Sequence, residues 1–201
     1  FRAAHGISPD ARIVSFIGRF APEKKPLLFV DIARAILNKA PQHNWKFVMA
    51  GDGPYLDKVK NHIRECGLEK NFVLPGMLSD VSELLADTFL VVLVSQKEGI
   101  PLVIQEAFAM EVPVLSTNVG AIRELITAGA NGHLIALDAN VIDQFTDRIL
   151  KLAADPQLYA TMVSNTKFTL YPEFSFENMK LRYRQIFDDV LAEAAVAKVK
   201  S

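Results

Sequence analysis

The chain has 201 residues, of which half are hydrophobic, and its 22 Lys and Arg nearly balance 23 Asp and Glu. This composition supports a buried core and excludes intrinsic disorder, and the balanced charge gives no sign of a nucleic-acid partner. The single cysteine, Cys66, excludes an internal disulfide framework and a cysteine-rich zinc site, and no apolar run is long enough to span a membrane.

Short apolar runs alternate with amphipathic stretches along the chain. In chain order, the predicted elements are a strand over 12–17, a helix opened by Pro26, a strand over 46–50, a helix that stops at Gly67, a strand over 71–74, a helix capped by Ser79 or Asp80 that runs through Leu85, a strand over 89–94, a helix over 101–110, a strand over 112–116, a helix over 121–128, a strand over 133–136, and two or three further helices. This alternation predicts an α/β domain with a mostly parallel sheet.

Ligands of such sheets bind outside the carboxyl ends of the strands, which selects the loops 18–25, 51–54, 75–80 and 95–101. No G-x-G-x-x-G fingerprint follows the first strand, and the chain has no Walker-type G-K-[ST]. The histidines lack metal-ligand spacing and are expected to be surface or core residues: His5, His43, His62 and His133.

The loop after the first predicted strand carries two cations, Arg19 and Lys24. Arginine offers a planar fork of donors and lysine a compact charge, so the pair could hold a diphosphate. The alternative is a solvated loop in which Arg19 pairs with Glu23.

The loop after the strand at 89–94 leads into a helix whose first position suits Pro101. The backbone N–H groups of Leu102 and Val103 then point outward at the positive end of the helix dipole, which predicts an anion site. Gly99 allows a ligand to approach the backbone closely.

Two acids flank this anion site, Glu98 before the helix and Glu106 roughly 7–8 Å along its axis. Carboxylates beside a phosphate site suit sugar hydroxyls as hydrogen-bond partners. Alternatively, Glu98 caps the helix and Glu106 is an ordinary helix residue. The apolar neighbours of Glu106 lead us to expect that it is at least partly shielded from solvent.

Two glycine positions remain open to more than one interpretation. The segment Gly51-Asp52-Gly53-Pro54 is best explained by itself as a capping turn. Gly120 either admits a ligand at the end of the strand over 112–116 or serves a turn. Aromatic and apolar residues near the end of the chain form a stripe that we expect to be core or to pack the terminal helix, the alternative being an exposed apolar patch on the outer face of that helix: Phe174, Phe176, Met179, Tyr183, Phe187 and Leu191.

Together these motifs resemble the family 4 retaining glycosyltransferases, in the C-terminal, donor-binding half of the GT-B fold. The similar segments are Gly18-Arg19 to Lys24, Gly51-Asp52-Gly53-Pro54, Glu98-x7-Glu106, Pro113-Val114, Gly120 to Glu124 and an aromatic-rich final helix. The resemblance implies a Rossmann-like doubly wound parallel sheet of about six strands. It further implies one domain over 1–201 with 172–201 as a terminal helical segment, and an N-terminal acceptor domain that this chain lacks.

The resemblance also implies a role for each matched residue. Arg19 and Lys24 neutralise the diphosphate of the leaving group, Glu98 binds the hydroxyls of the donor sugar, and Glu106 binds the ribose. The residues implied to complete the donor site are Gly99, Ile100, Leu102 and Val103 at the helix start, Leu74, Pro75 and Gly76 beside the nucleobase, and Gly18 and Gly51 in the first two loops.

The implied reaction is transfer of a glycosyl group from a UDP-, GDP- or ADP-linked sugar, with retention and without a metal or other cofactor. A cytoplasmic location is expected, with membrane contact only through the missing half, and the chain alone should bind donor without efficient transfer. Three positions depart from the family pattern, where a glycine or small residue is usual: Lys25, Glu111 and Ala121. The alternatives are a catalytically silent scaffold or sugar-nucleotide-binding domain, and a GT-B relative such as an epimerase or phosphorylase.

Overall fold

The computed structural model describes residues 1–170 and 174–199, with side chains through residue 192. Its strands are β1 (Arg12–Ile17), β2 (Trp45–Ala50), β3 (Phe72–Gly76), β4 (Thr88–Leu93), β5 (Val114–Thr117) and β6 (Gly132–Ile135). Its α-helices are α1 (Pro26–Lys39), α2 (Leu56–Glu65), α3 (Ser82–Asp87), α4 (Leu102–Ala109), α5 (Val141–Ala154), α6 (Pro156–Leu170) and α7 (Phe176–Val199). Short 3-10 turns cover Ala3–His5, Pro22–Lys24 and Ile122–Glu124.

The strands form one sheet in the order β3-β2-β1-β4-β5-β6, and every adjacent pair is parallel. From β1 the chain moves outward to β3, then crosses back to β4 and moves outward to β6 on the other side. This is a doubly wound, Rossmann-like sheet, as the family resemblance implied.

Helices cover both faces of the sheet. On one face, α1, α2 and α5 bury residues such as Phe29, Ile63 and Phe145 against the strands. On the other face, α3 and α4 bury residues such as Leu85 and Phe108. Successive residues of β4 enter the two cores in turn, which confirms it as a central strand.

The predicted helix over 121–128 is wrong, because only the 3-10 turn Ile122–Glu124 forms there. The apolar spacing is helical, but the side chain of Asn131 takes the backbone groups that a longer helix would need. Its Oδ1 accepts from the N–H of Thr127 at 2.9 Å, and its Nδ2 donates to the carbonyl of Leu125 at 2.9 Å. A side-chain cap therefore ends the turn.

Smaller differences affect two loops near the sheet edge. β3 continues through Pro75 and Gly76, where the sequence predicted a loop; an edge strand tolerates a proline. Neither Ser79 nor Asp80 is the N-cap of α3, which is Val81; Asp80 lies one residue before it, and its Oδ1 accepts from the backbone N–H of Ser82 at 2.8 Å. Hydrogen bonds from Ser82 lower the pKa of the Asp80 carboxyl.

The stripe near the end of the chain is not core, apart from Phe174, which packs beside the α4 face. The described part of the chain leaves the apolar side chains of α7 uncovered. They are exposed at Phe176, Met179, Leu181, Tyr183, Ile186, Phe187, Val190 and Leu191.

Two of the unusual residues relative to the family pattern occupy left-handed backbone conformations. Lys25 has φ of 46° and Glu111 has φ of 58°. This conformation explains why glycine suits these positions. Ala121 has an ordinary φ of −91° and needs no glycine.

Gly51 joins the loops that follow β1 and β2. Its N–H donates to the carbonyl of Gly76 at 2.8 Å, and the N–H of Gly18 donates to the carbonyl of Ala50 at 2.9 Å, so the sheet ladder continues past the strand ends. A Cβ on Gly51 would lie 1.9 Å from the carbonyl oxygen of Gly18, and its φ is 143°. The close approach of two backbones therefore requires glycine here.

We predict that Gly51→Ala lowers the free energy of unfolding by about 3 kcal/mol, because backbone strain and a clash with a backbone oxygen add together. Gly6→Ala is the matched control, since Gly6 also has a positive φ of 61° but has open space around the added Cβ. It should cost only about 1 kcal/mol. Urea denaturation measures both, and equal losses would refute the steric argument.

Candidate donor site at the switch point

The order of the strands reverses between β1 and β4, and a crevice opens there beyond their carboxyl ends. The loop 18–25 leaves β1 on one side, and the loop 94–101 leaves β4 on the other. The backbone N–H of Gln96 donates to the carbonyl of Glu23 at 2.7 Å and ties these loops together. The fold thus places two of the loops selected from the sequence on the two sides of one crevice.

An ion pair joins the same two loops. Lys24 Nζ lies 2.6 Å from Oε1 and 2.7 Å from Oε2 of Glu98. The Glu98 side chain is only 7% exposed and that of Lys24 is 28% exposed. The structure therefore brings a predicted phosphate-binding cation and a predicted sugar-binding acid into direct contact.

Glu98 has a second partner that the sequence analysis missed. Ser95 Oγ donates to Glu98 Oε1 at 2.6 Å, and the carbonyl of Ser95 accepts from Thr117 Oγ1 at 2.6 Å. Both Ser95 and Thr117 are buried. The sequence carries no pattern that marks Ser95, since its importance depends on its burial and on these two partners.

Gly120, which follows β5, packs closely against the backbone of Glu98. A Cβ added to Gly120 would lie 1.9 Å from the carbonyl oxygen of Glu98, and the φ of Gly120 is 58°. Of the two interpretations left open, this close backbone packing favours a structural role.

The start of α4 faces the crevice from the β4 side. Pro101 is the residue before the helix, with φ of −70° and ψ of 124°, rather than its first helical residue. The N–H of Ile104 donates to the carbonyl of Pro101 at 3.1 Å, whereas the N–H groups of Leu102 and Val103 precede this first turn. Such groups have no acceptor within their own helix and are available to an anion.

The acids and loop residues around this helix differ in exposure. Glu98 does not cap α4, whose start has no side-chain cap. Glu106 is exposed, contrary to the shielding we expected. Its position, two residues after the buried Ile104, turns it more than half a helical turn away from the core. Gly99 and Ile100 are exposed in the loop before the helix.

Arg19 is exposed and, within the described residues, its side chain forms neither a hydrogen bond nor an ion pair. The alternative in which it pairs with Glu23 is therefore not seen. Arg19 lines a cavity of about 680 Å³ beyond the carboxyl ends of β1 and β2.

The walls of this cavity include residues from three loops. The lining residues are Ile17, Gly18, Arg19, Ala50, Gly51, Asp52, Gly53, Met77, Leu78 and Val81. Gly18 and Gly51 were predicted as site residues. Met77 and Leu78 lie in the selected loop 75–80 but were not chosen as site residues, and Val81 lies just beyond that loop. The exposed Met77, at 82%, is an apolar side chain without a folding role and was the signal available.

The three residues expected beside a nucleobase lie within β3 instead. Leu74 packs into the core on the α2 side and borders a separate cavity of about 250 Å³. Pro75 and Gly76 end the strand, and the cavity wall begins at Met77. The cavity wall thus begins with the residue that follows the predicted segment Leu74–Gly76.

The described residues form neither a metal site nor a membrane span. They contain no group of three or more His, Cys, Asp or Glu side chains placed to hold a metal ion. None of their helices is both long and apolar enough to cross a bilayer.

Comparison with known proteins places the chain in a family. The family model described as "Glycosyl transferases group 1" matches residues 1–168. N-acetyl-alpha-D-glucosaminyl L-malate synthase from Bacillus anthracis is 29% identical over 195 residues, which is 97% of this chain and 50% of that protein. The chain thus spans about half the length of this curated relative.

Solved structures give the same result. A TarM mutant from S. aureus in complex with Fondaparinux, alpha-GlcNAc-glycerol and UDP has a TM-score of 0.80 and 30% identity, covering 88% of this chain and 35% of that one. The C-terminal domain of a glycosyl transferase group 1 family protein, LpcC from Francisella tularensis, has a TM-score of 0.71 and 26% identity, covering 82% of this chain and 87% of that one. The chain described here belongs to the group 1 glycosyl transferase family.

Proposed function

We propose that this chain is the nucleotide-sugar-binding half of a family 4 GT-B glycosyltransferase that transfers a sugar with retention at the anomeric carbon. The observation that carries the proposal is the contact between Lys24 and Glu98 at the switch point, 2.6 Å between Nζ and Oε1. It sets a cation suited to a diphosphate beside an acid suited to sugar hydroxyls. The structurally similar TarM complex contains UDP, which supports a nucleotide as the ligand of this chain.

The diphosphate would lie between Lys24, Arg19 and the first N–H groups of α4. The ammonium of Lys24 has three donors, so it can bind phosphate while it keeps one contact with Glu98. Arg19 is free to turn toward the same group. These charges and helix dipole would stabilise the departing diphosphate, which is the main chemical demand on a donor site.

We propose no role for a metal ion, because these protein cations and the helix end can offset the diphosphate charge themselves. The proposal thus makes Arg19, Lys24 and Glu98 the residues closest to the reacting bond. Glu98 would accept hydrogen bonds from the donor sugar, since its carboxylate lies beside the proposed phosphate position.

The nucleoside would extend from the diphosphate toward the cavity of about 680 Å³. Val103 of α4 packs in the same core cluster as Val81 and Ile17 of the cavity wall, so helix and cavity share one face of the sheet. Met77 and Leu78 would then contact the base in place of Leu74. Glu106, exposed on α4, would bind the ribose hydroxyls.

The acceptor would be bound by a further half of the protein. The B. anthracis relative has about twice the length matched here, which supports a second half of similar size. We therefore propose that this chain binds donor by itself and that transfer needs the other half.

We predict that the chain binds one of UDP, GDP and ADP with micromolar affinity in calorimetry. Arg19→Ala and Lys24→Ala should each weaken that binding by about 1 kcal/mol or more, because each removes a charge-assisted hydrogen bond to phosphate. Lys97→Ala is the matched control, since Lys97 is an exposed cation in the loop after β4 and has no proposed contact.

No binding of any of the three nucleotides would refute the proposal and favour the silent scaffold domain. An equal effect of Lys97→Ala would show that the chain attracts nucleotides by general charge and not through the proposed site.

The assignment of Glu106 makes a separate prediction. Glu106→Gln should weaken the nucleoside diphosphate severalfold and leave inorganic pyrophosphate unchanged, because a carboxylate bound to ribose hydroxyls does not touch phosphate. Glu111→Gln controls for the loss of an exposed acid near the other end of α4. Calorimetry with both ligands measures the effect, and equal losses for nucleotide and pyrophosphate would exclude the ribose contact.

A further inference from the structure

Ser95 links the sheet to the acid of the site. It lies two residues beyond the end of β4 and is 2% exposed. Its hydroxyl donates to Glu98 Oε1 at 2.6 Å, and the same oxygen lies 2.6 Å from Lys24 Nζ. One carboxylate oxygen of Glu98 therefore has two hydrogen-bond partners, the neutral hydroxyl of Ser95 and the charged ammonium of Lys24.

Ser95 itself is held by the neighbouring strand. Thr117, the last residue of β5 and fully buried, donates its hydroxyl to the carbonyl of Ser95 at 2.6 Å. The connection thus runs from β5 through Ser95 to Glu98, with each hydroxyl shielded from water. Buried hydrogen bonds of this kind fix side-chain geometry, because breaking one leaves a polar group unsatisfied.

A bound ligand affects these two partners of Glu98, Lys24 and Ser95, differently. A diphosphate competes with Glu98 for the Lys24 ammonium, since phosphate oxygens carry negative charge and lysine binds them as a point charge. The diphosphate does not compete for Ser95, because the hydroxyl of Ser95 is buried against the loop. When Lys24 turns to phosphate, Ser95 is the partner that keeps Glu98 in place.

We propose that Ser95 is a positioning residue that holds the Glu98 carboxylate toward the sugar of a bound nucleotide sugar. This inference rests on the proposed function, because it assigns Glu98 to the donor sugar. It means that Ser95 contributes to recognition of the sugar and leaves recognition of the nucleoside diphosphate unaffected.

The test compares Ser95→Ala and Ser95→Cys with the wild-type chain by calorimetry. The probes are UDP and the tightest binder among UDP-glucose, UDP-galactose and UDP-N-acetylglucosamine, with the corresponding GDP and ADP pairs run in parallel. Both variants should lose about five- to tenfold affinity for the nucleotide sugar and less than about twofold for the nucleoside diphosphate. Cysteine nearly keeps the volume of serine but is a weak donor, so it separates the hydrogen bond from packing.

Two further variants distinguish positioning from a general structural role. Ser116→Ala removes another fully buried serine hydroxyl, at the carboxyl end of β5, and should leave the ratio of the two affinities unchanged. In a Glu98→Gln background, Ser95→Ala should cause little additional loss of sugar affinity, because Ser95 acts through Glu98. Equal losses of nucleotide and nucleotide sugar in Ser95→Ala, or full additivity with Glu98→Gln, would overturn the inference.

Failure of the proposed function gives a different result, since the wild-type chain would then bind none of the nucleotides. In the ligand-free Ser95→Ala variant Lys24 would still bind both Glu98 oxygens, so the test in either case is the ligand-free crystal structure of Ser95→Ala combined with Lys24→Ala, with Lys24→Ala alone as its control. We expect the Glu98 carboxylate to keep its wild-type position in Lys24→Ala and to leave it in the double variant, and an unmoved carboxylate in the double variant would overturn the role of Ser95.

Discussion

The ion pair between Lys24 and Glu98 is the contact on which the rest of the site depends. It forms because the sheet reverses its strand order between β1 and β4, so that two loops distant in sequence end on the two sides of one crevice. A lysine with 28% exposure and a glutamate with 7% exposure are partly removed from water, which strengthens the attraction between them. The fold thus holds a cation and an acid ready in the same place before any ligand arrives.

Around this pair the site divides into a charged part and an apolar part. The charged part consists of Arg19, Lys24, Glu98 and the start of α4. The apolar part is the cavity wall of Met77, Leu78 and Val81 together with the ends of β1 and β2. A nucleotide sugar has a matching order of groups, with a base at one end, a diphosphate in the middle and a sugar at the other end. This match is why we favour a donor site over a site for a simple phosphate or an apolar ligand.

The sheet, its order of elements and the loops of the site could be predicted because they depend on local patterns. Pro26 opens α1 as expected, and the apolar run of β4 marks a central strand. The apolar stripe of α7 did not by itself decide between core packing and an exposed patch, because a helical stripe does not say what covers it, and the structure shows the exposed patch. The role of Asn131 in ending a turn was equally hidden, since it depends on side-chain bonds to the backbone at Thr127 and Leu125.

Within the site, the residue types were found more reliably than their contacts. Lys24 and Glu98 were both selected for their chemistry, but their direct contact follows from tertiary structure and was not foreseen. Ser95 escaped notice because a single serine carries no pattern. Its meaning comes from its burial and its two partners.

A crystal structure of the chain with the nucleoside diphosphate that binds most tightly is the most direct test of the central claim. We expect the diphosphate to lie between the loop 18–25 and the first turn of α4, with Lys24 Nζ within hydrogen-bond distance of a phosphate oxygen. We also expect Glu98 to remain bound to Ser95 Oγ. A nucleotide bound elsewhere, with Lys24 still paired only to Glu98, would refute the proposed donor site.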